Sequence, residues 1–192
     1  MKRILIVALA FFAFALASCE KAPIGGTAVQ DASGQWYVKR VMQFADGSTE
    51  DYFGPDWLEM VDKVHMLTYN TSANDPDSLF VEDLGYFYAK SMNMYLDFKV
   101  KVKYDPATMT FSATEAPNYY EDNTVDIEGG IIKDGAKTAQ GKPIDSIWMT
   151  VKISDDTDYA AWLNDYYGAE YFTQWDRYLI TGVRYTGLEE DD

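Results

Sequence analysis

The sequence predicts a mainly β domain, an antiparallel barrel or sandwich with one or two short helices, behind a short leader. Three observations predict it. Apolar residues recur with period two through much of 34–185, as in strands with one buried face. Turn signals such as Asp46-Gly47, Asp105-Pro106 and Asp134-Gly135 separate these runs at short spacing. The 192 residues, 47% apolar and 24% charged, suit one globular domain plus a leader.

The leader begins with Lys2 and Arg3 and continues as an unbroken apolar run over 4–16. A membrane-spanning helix needs roughly 20 apolar residues, so the run is too short to span and fits a secretory signal. Leu16-Ala17-Ser18-Cys19 then resembles the lipobox of bacterial lipoproteins. That resemblance implies a diacylglyceryl group on the Cys19 sulfur, cleavage before Cys19 and acylation of the new amino terminus. Residues 1–18 are therefore expected as a signal peptide, 19–32 as an acylated flexible tether and 33–192 as a single β-barrel domain. One acyl chain holds a protein marginally, whereas two or three anchor it stably.

Within the domain, 34–44 alternates, with Trp36, Val38, Arg40, Met42 and Phe44 on one face. Asp46-Gly47 follows as a hairpin turn. A helix is expected from Pro55, with Trp57, Met60, Val61 and Val64 sharing a face. Residues 64–71 read as a strand. The cleanest strand is 93–104, where Met94, Leu96, Phe98, Val100, Val102 and Tyr104 alternate with Asp97, Lys99, Lys101 and Lys103. Residues 105–108 turn and 109–114 return. Residues 125–133 and 136–140 read as a hairpin about Asp134-Gly135. In 144–153, Ile147, Met149, Val151 and Ile153 point inward. A second helix is expected after Asp155, with Tyr159, Trp162, Leu163 and Tyr166 on one face and Gly168 as its stop. The last strand is 178–185.

Gly34-Gln35-Trp36 on the first strand and Arg184 on the last resemble the lipocalin barrel. There the tryptophan plugs the closed end and the arginine packs across it. With the lipobox and the terminal stretch from Gly182, the chain resembles the gut-bacterial lipoproteins described as "lipid-binding putative hydrolase". That resemblance implies an antiparallel lipocalin-like β-barrel over 33–192 and ligand binding more than chemistry. The helix before the last strand and the absence of a disulfide depart from lipocalins.

Composition excludes several functions. With 16 Lys and Arg against 31 Asp and Glu, the net charge of −15 repels nucleic acid and anionic headgroups. One cysteine and one histidine exclude an internal disulfide and a multi-histidine metal site. No G-x-S-x-G elbow occurs, and a Ser-His-Asp triad would have to use His65, in a strand-like run. No catalytic motif is recognisable, and neither cofactor nor metal is expected. The oxygen-rich stretches 74–77, 122–123 and 155–158 read as solvated loops or a helix start rather than calcium loops. Asp77-Ser78-Leu79 and Asp145-Ser146-Ile147 resemble a short bacterial O-glycosylation motif.

The function expected is that of a lipid-anchored envelope protein, in the outer membrane at its periplasmic face or the cell surface. Its barrel would bind a small hydrophobic or amphipathic, lipid-like ligand, and only the N-terminal lipid would touch membrane. Candidate ligand contacts are Arg40, Met42, Phe44, Met94, Leu96, Phe98 and Met149. Trp36 and Arg184 are the expected barrel closure. Arg40 is the one charge on its inward face. It would meet a carboxylate inside the barrel, meet an acidic headgroup, or be turned to solvent by a bulge. The alternatives are a surface module that recognises glycan or protein through loop tyrosines such as Tyr119 and Tyr120, and a lipid or ester hydrolase.

Overall fold

The computed structural model describes residues 26–44, 46–51, 64–83, 88–89, 94–95, 98–154, 165 and 175–187. The strands are β1 (Gly34–Phe44), β2 (Thr49–Asp51), β3 (Val64–Asn70), β4 (Ser78–Asp83), β5 (Tyr88–Ala89), β6 (Met94–Tyr95), β7 (Phe98–Asp105), β8 (Thr110–Pro117), β9 (Thr124–Lys137), β10 (Pro143–Ile153) and β11 (Trp175–Arg184). Eight of them close a ring in the order β1-β3-β4-β7-β8-β9-β10-β11, and β11 returns to β1. Every pairing is antiparallel and ring neighbours follow one another in the chain, so this is an up-and-down barrel. Closure removes the sheet edges that would otherwise invite pairing with another chain. The short β2 pairs with the far half of β1, beyond the part that β3 occupies.

The alternation read from the sequence is the alternation of the wall. Trp36 and Val38 on β1, Phe98, Val100, Val102 and Tyr104 on β7, and Ile147, Met149, Val151 and Ile153 on β10 are buried in one core. Met66, Leu79, Val81, Phe111, Val125, Ile127, Ile131, Tyr178 and Ile180 complete it from the other strands. Two glycines make room where strands and rings approach. A Cβ on Gly182 of β11 would lie 2.2 Å from the Tyr37 carbonyl oxygen on β1. One on Gly129 of β9 would lie 2.6 Å from the Phe111 ring.

The structure corrects four expectations. First, Asp134-Gly135 is not a hairpin tip. β9 continues through it to Lys137, Asp134 adopts φ 54°, and its N–H donates to Asp145 Oδ1 at 3.0 Å. The positive φ absorbs a bulge, and the reversal falls at 138–142, where Gly141 has φ 79°. Second, 93–104 is not one strand. Met94–Tyr95 pairs with β5 in a separate two-stranded sheet, and only Phe98 onward joins the barrel. Third, β4 was not foreseen. Fourth, the last residues of the stretch read as a tether pack under the barrel, with Val29 and Ala32 buried, so the packed domain starts before Ser33. Apart from Val64, which begins β3, and Asp165, which is helical, the two expected helices lie outside the described residues, as do Cys19 and residues 1–18.

The two barrel ends differ. At the end where β1 starts, the ring strands are joined by the short segments 71–77, 106–109 and 138–142. At the other end they are joined by 45–63, 84–97, 118–123 and 154–174, most of them far longer. The first end is the base and the second is the mouth.

Candidate functional site

The base is built around Trp36, which is fully buried. Its indole N–H donates to Thr68 Oγ1 at 2.8 Å, and that hydroxyl donates in turn to the Ala32 carbonyl. The turn over 27–33 thus seals the base, held from outside by the Ala28 N–H donating to Asn74 Oδ1 at 2.8 Å. Arg184, at the end of β11, lies across the indole with its guanidinium carbon 4.4 Å from the ring centroid. Four contacts hold it there. Its Nε donates to Asp145 Oδ2 at 3.2 Å, its Nη2 lies 3.1 Å from the same oxygen, and its Nη groups donate to the carbonyls of Ser33 and Asp31. A Cβ on Gly34 would stand 2.3 Å from Nη1, so the guanidinium lies in the space that a side chain at this position would take.

Above the base stands a buried charge. Arg40 occupies the next inward position after Val38 on β1 and faces Ile180 across the β1–β11 ladder. Its guanidinium pairs with Asp83 at the end of β4, and both side chains are inaccessible to solvent. Of the fates open to Arg40, the one found in the described chain is a carboxylate partner inside the barrel. Asp83 was missed because β4 was missed, although Leu79, Val81 and Asp83 carry the i, i+2, i+4 spacing of an inward face.

The remaining candidate residues fall in three places. Phe98 and Met149 are buried in the packed interior. Met42 and Phe44 follow Arg40 on β1 toward the mouth, where a register shift separates Gln43 from Phe44. Met94 lies on β6 opposite Ala89, not on the same strand as Phe98, because that short hairpin leaves the ring. Leu96 and Cys19 lie outside the described residues.

The outer wall carries an aromatic cluster. Tyr69, Phe80 and Tyr119 touch in sequence, with centroid separations of 5.6 and 5.4 Å. Lys99 lies over Tyr69 and Phe80 and reaches Glu82 at 3.8 Å. The hydroxyls of Tyr69 and Tyr120 both donate to Glu82. Burial, then the hydrogen bond and charge of Glu82, push the Tyr69 hydroxyl far above its ordinary range. Asn118 shapes the loop beside it, its Oδ1 accepting from the N–H groups of Lys99 and Tyr120 at 3.1 Å each. Tyr119 and Tyr120 stay exposed. Further round the barrel, two grooves of about 470 and 370 Å³ adjoin on the outer wall and share Ser112 and Glu128. Among the described residues no cluster of His, Cys, Asp and Glu could hold a metal ion.

An up-and-down barrel with a tryptophan plug, an arginine across it and long connections at the opposite end is a lipocalin-like barrel. The chain belongs to the family described as "Lipid-binding putative hydrolase", which matches residues 21–189. No curated protein matches it. Among solved structures it is similar to a multidomain protein including DUF1735 from Bacteroides ovatus, at 14% identity and a TM-score of 0.29. That likeness covers 79% of this chain and spans about half of the other, 48%.

Proposed function

We propose that this is a lipid-anchored protein of the bacterial cell envelope whose barrel takes a small apolar or amphipathic ligand through its mouth. Membership of a lipid-binding family and the barrel itself support the general role. The observation that carries the finer reading is the Arg40–Asp83 pair, placed between the filled base and the mouth. A charge in an apolar interior is costly unless paired, so a barrel meant only to be packed would favour apolar side chains there. Asp83 keeps the cation neutralised, and the acidic headgroup of an amphiphile can take the same place. Met42 and Phe44 stand between Arg40 and the mouth on β1, where an acyl chain would run.

Anchoring rests on the Leu16-Ala17-Ser18-Cys19 motif and the signal-like run before it. Lipid on Cys19 would hold the barrel at the outer membrane, at the periplasmic face or the cell surface, without any protein surface entering the bilayer.

Oleate titration of the purified protein tests the ligand. Binding is expected in the wild type and lost in the double variant Arg40→Met/Asp83→Leu, which leaves no buried carboxylate alone. Unchanged binding in a folded variant places Arg40 outside the site. No oleate binding, together with no ligand seen by native mass spectrometry, removes the amphiphile reading. Labelling with a palmitate analogue tests the anchor, and labelling that survives Cys19→Ala refutes it.

A further inference from the structure

Trp148 has no part in the barrel interior. It lies on β10 pointing outward and is 37% exposed. Its ladder partner on β9 is Gly130, whose next neighbour on β8 is Thr110. A Cβ on Gly130 would lie 3.1 Å from Trp148 Nε1 and 3.3 Å from Thr110 Cγ2. The indole therefore lies over β9 in the space that any other side chain at position 130 would fill. The result is a partly exposed indole standing on the outer wall of the barrel, with its Nε1 edge over Gly130.

Around that indole is the groove of about 470 Å³, within the size range of small-molecule sites. Its polar lining includes Thr110, Ser112, Glu128, Lys103 and Asp77. The second groove continues from Ser112 and Glu128 across Thr150 toward Arg177 on β11. Together they cross the wall from β7 to β11. Four strand spacings make that roughly 19 Å.

We propose that this groove is a carbohydrate-binding site for a neutral oligosaccharide, with Trp148 as the stacking platform. The wall itself selects this occupant. Strands β7 to β11 are paired on both sides, so an extended peptide has no free edge to join. The groove is open on the outer wall and mixes hydroxyl, carboxylate and ammonium groups with Trp148, Tyr104 and Phe111, so an acyl chain lying there would keep much of its surface in water. The chain carries a net charge of −15, which disfavours polyanions. A pyranose has an apolar face to lie on the indole and a rim of hydroxyls to donate to Glu128 and exchange hydrogen bonds with Thr110 and Ser112. The site lies outside the barrel, is separate from the Arg40 interior, and involves neither Tyr119 nor Tyr120.

Isothermal titration of the purified protein with maltohexaose, cellohexaose, mannohexaose and xylohexaose tests it. One of the four is expected to bind the wild type, and Trp148→Ala is expected to weaken that binding about tenfold or more. Glu128→Gln, a change at an exposed position, should weaken it several-fold with the fold intact. The Arg40→Met/Asp83→Leu protein should bind the sugar as the wild type does. Absence of binding with all four sugars overturns the proposal. So does a sugar that binds the wild type and both groove variants equally. Should Trp148→Ala fail to fold, Glu128→Gln decides alone, and preferential capture of an extended peptide at Trp148 also refutes the carbohydrate.

Discussion

The guanidinium of Arg184 covers the indole of Trp36 at 4.4 Å, joining the last strand of the barrel to the first at the sealed end. The contact closes the chain on itself, since Trp36 and Arg184 are also partners in the β1–β11 ladder. Trp36→Ala is expected to cost about 3–5 kcal/mol, as a large-to-small change in a packed core. The Trp36–Arg184 coupling should come to about 0.5–2 kcal/mol, since Arg184 is partly exposed and solvent screens its charge. Urea unfolding of both single variants and the double variant measures it. A coupling of zero would mean that the arginine is held only by Asp145 and the carbonyls of the 31–33 turn.

Barrel closure has its own test at Gly182. An added Cβ there meets backbone, the Tyr37 carbonyl oxygen at 2.2 Å, and Val38 Cγ1 at 2.7 Å. Backbone cannot yield as a side chain does, so Gly182→Ala should lose about 1–3 kcal/mol, as overpacking does. For a domain of this size that lowers Tm by several degrees. An unchanged Tm would mean that β1 and β11 do not approach this closely in solution.

Legibility in the sequence followed exposure. β1, β7 and β10 have one wet face and one dry face, so their period-two pattern is plain, and Trp36, Val38, Arg40, Phe98, Val100, Val102, Ile147, Met149, Val151 and Ile153 are buried as that pattern reads. β4 was invisible because it is buried on both faces. Ser78 and Glu82, on its outer side, are 5% and 8% exposed. Ser78 Oγ donates to Asp75 Oδ2 at 3.0 Å, and Glu82 lies under Tyr69 and Tyr120. That burial also removes Ser78 as an accessible modification site. The Asp134-Gly135 signal was genuine local chemistry used for another purpose, since a positive φ serves a bulge as well as a turn. Of the site, Arg40 stood out as a charge on an apolar face, but its partner was hidden with β4. Trp148 could have been found from Gly130, a small residue in a strand, only once the β9–β10 register was known.

The Arg40–Asp83 pair predicts a non-additive cycle. Replacing either residue alone leaves the other charge buried, so Arg40→Met and Asp83→Leu should each cost about 3–5 kcal/mol. The double variant should regain most of that loss, because apolar side chains suit the same space. Chemical denaturation of the three variants checks this. Simple additivity would show that the two charges act independently, contrary to their burial in contact.

Acid should loosen the base through its turns. Asp75 Oδ1 accepts from the Asp77 N–H at 3.0 Å and its Oδ2 from Ser78, while Asp105 accepts from the Ala107 N–H at 2.9 Å and from Thr108 at 3.0 Å. For each, the backbone hydrogen bond is the largest effect and the side-chain hydroxyl the next, and both hold the carboxyl below its ordinary value of 3.8. A carboxylate whose value is lower when folded contributes stability that is fully present above pH 3.8 and lost as pH falls through the lowered value. Stability should therefore decline below about pH 4, and carbon-detected NMR should show these two carboxyls protonating after ordinary aspartates. Asp75→Asn keeps an acceptor for the turn but has no charge to lose. It should be less stable than the wild type at pH 6 and lose less on going to pH 2. An Asp75→Asn protein with the same decline as the wild type would show that Asp75 has no share in the acid sensitivity of the base.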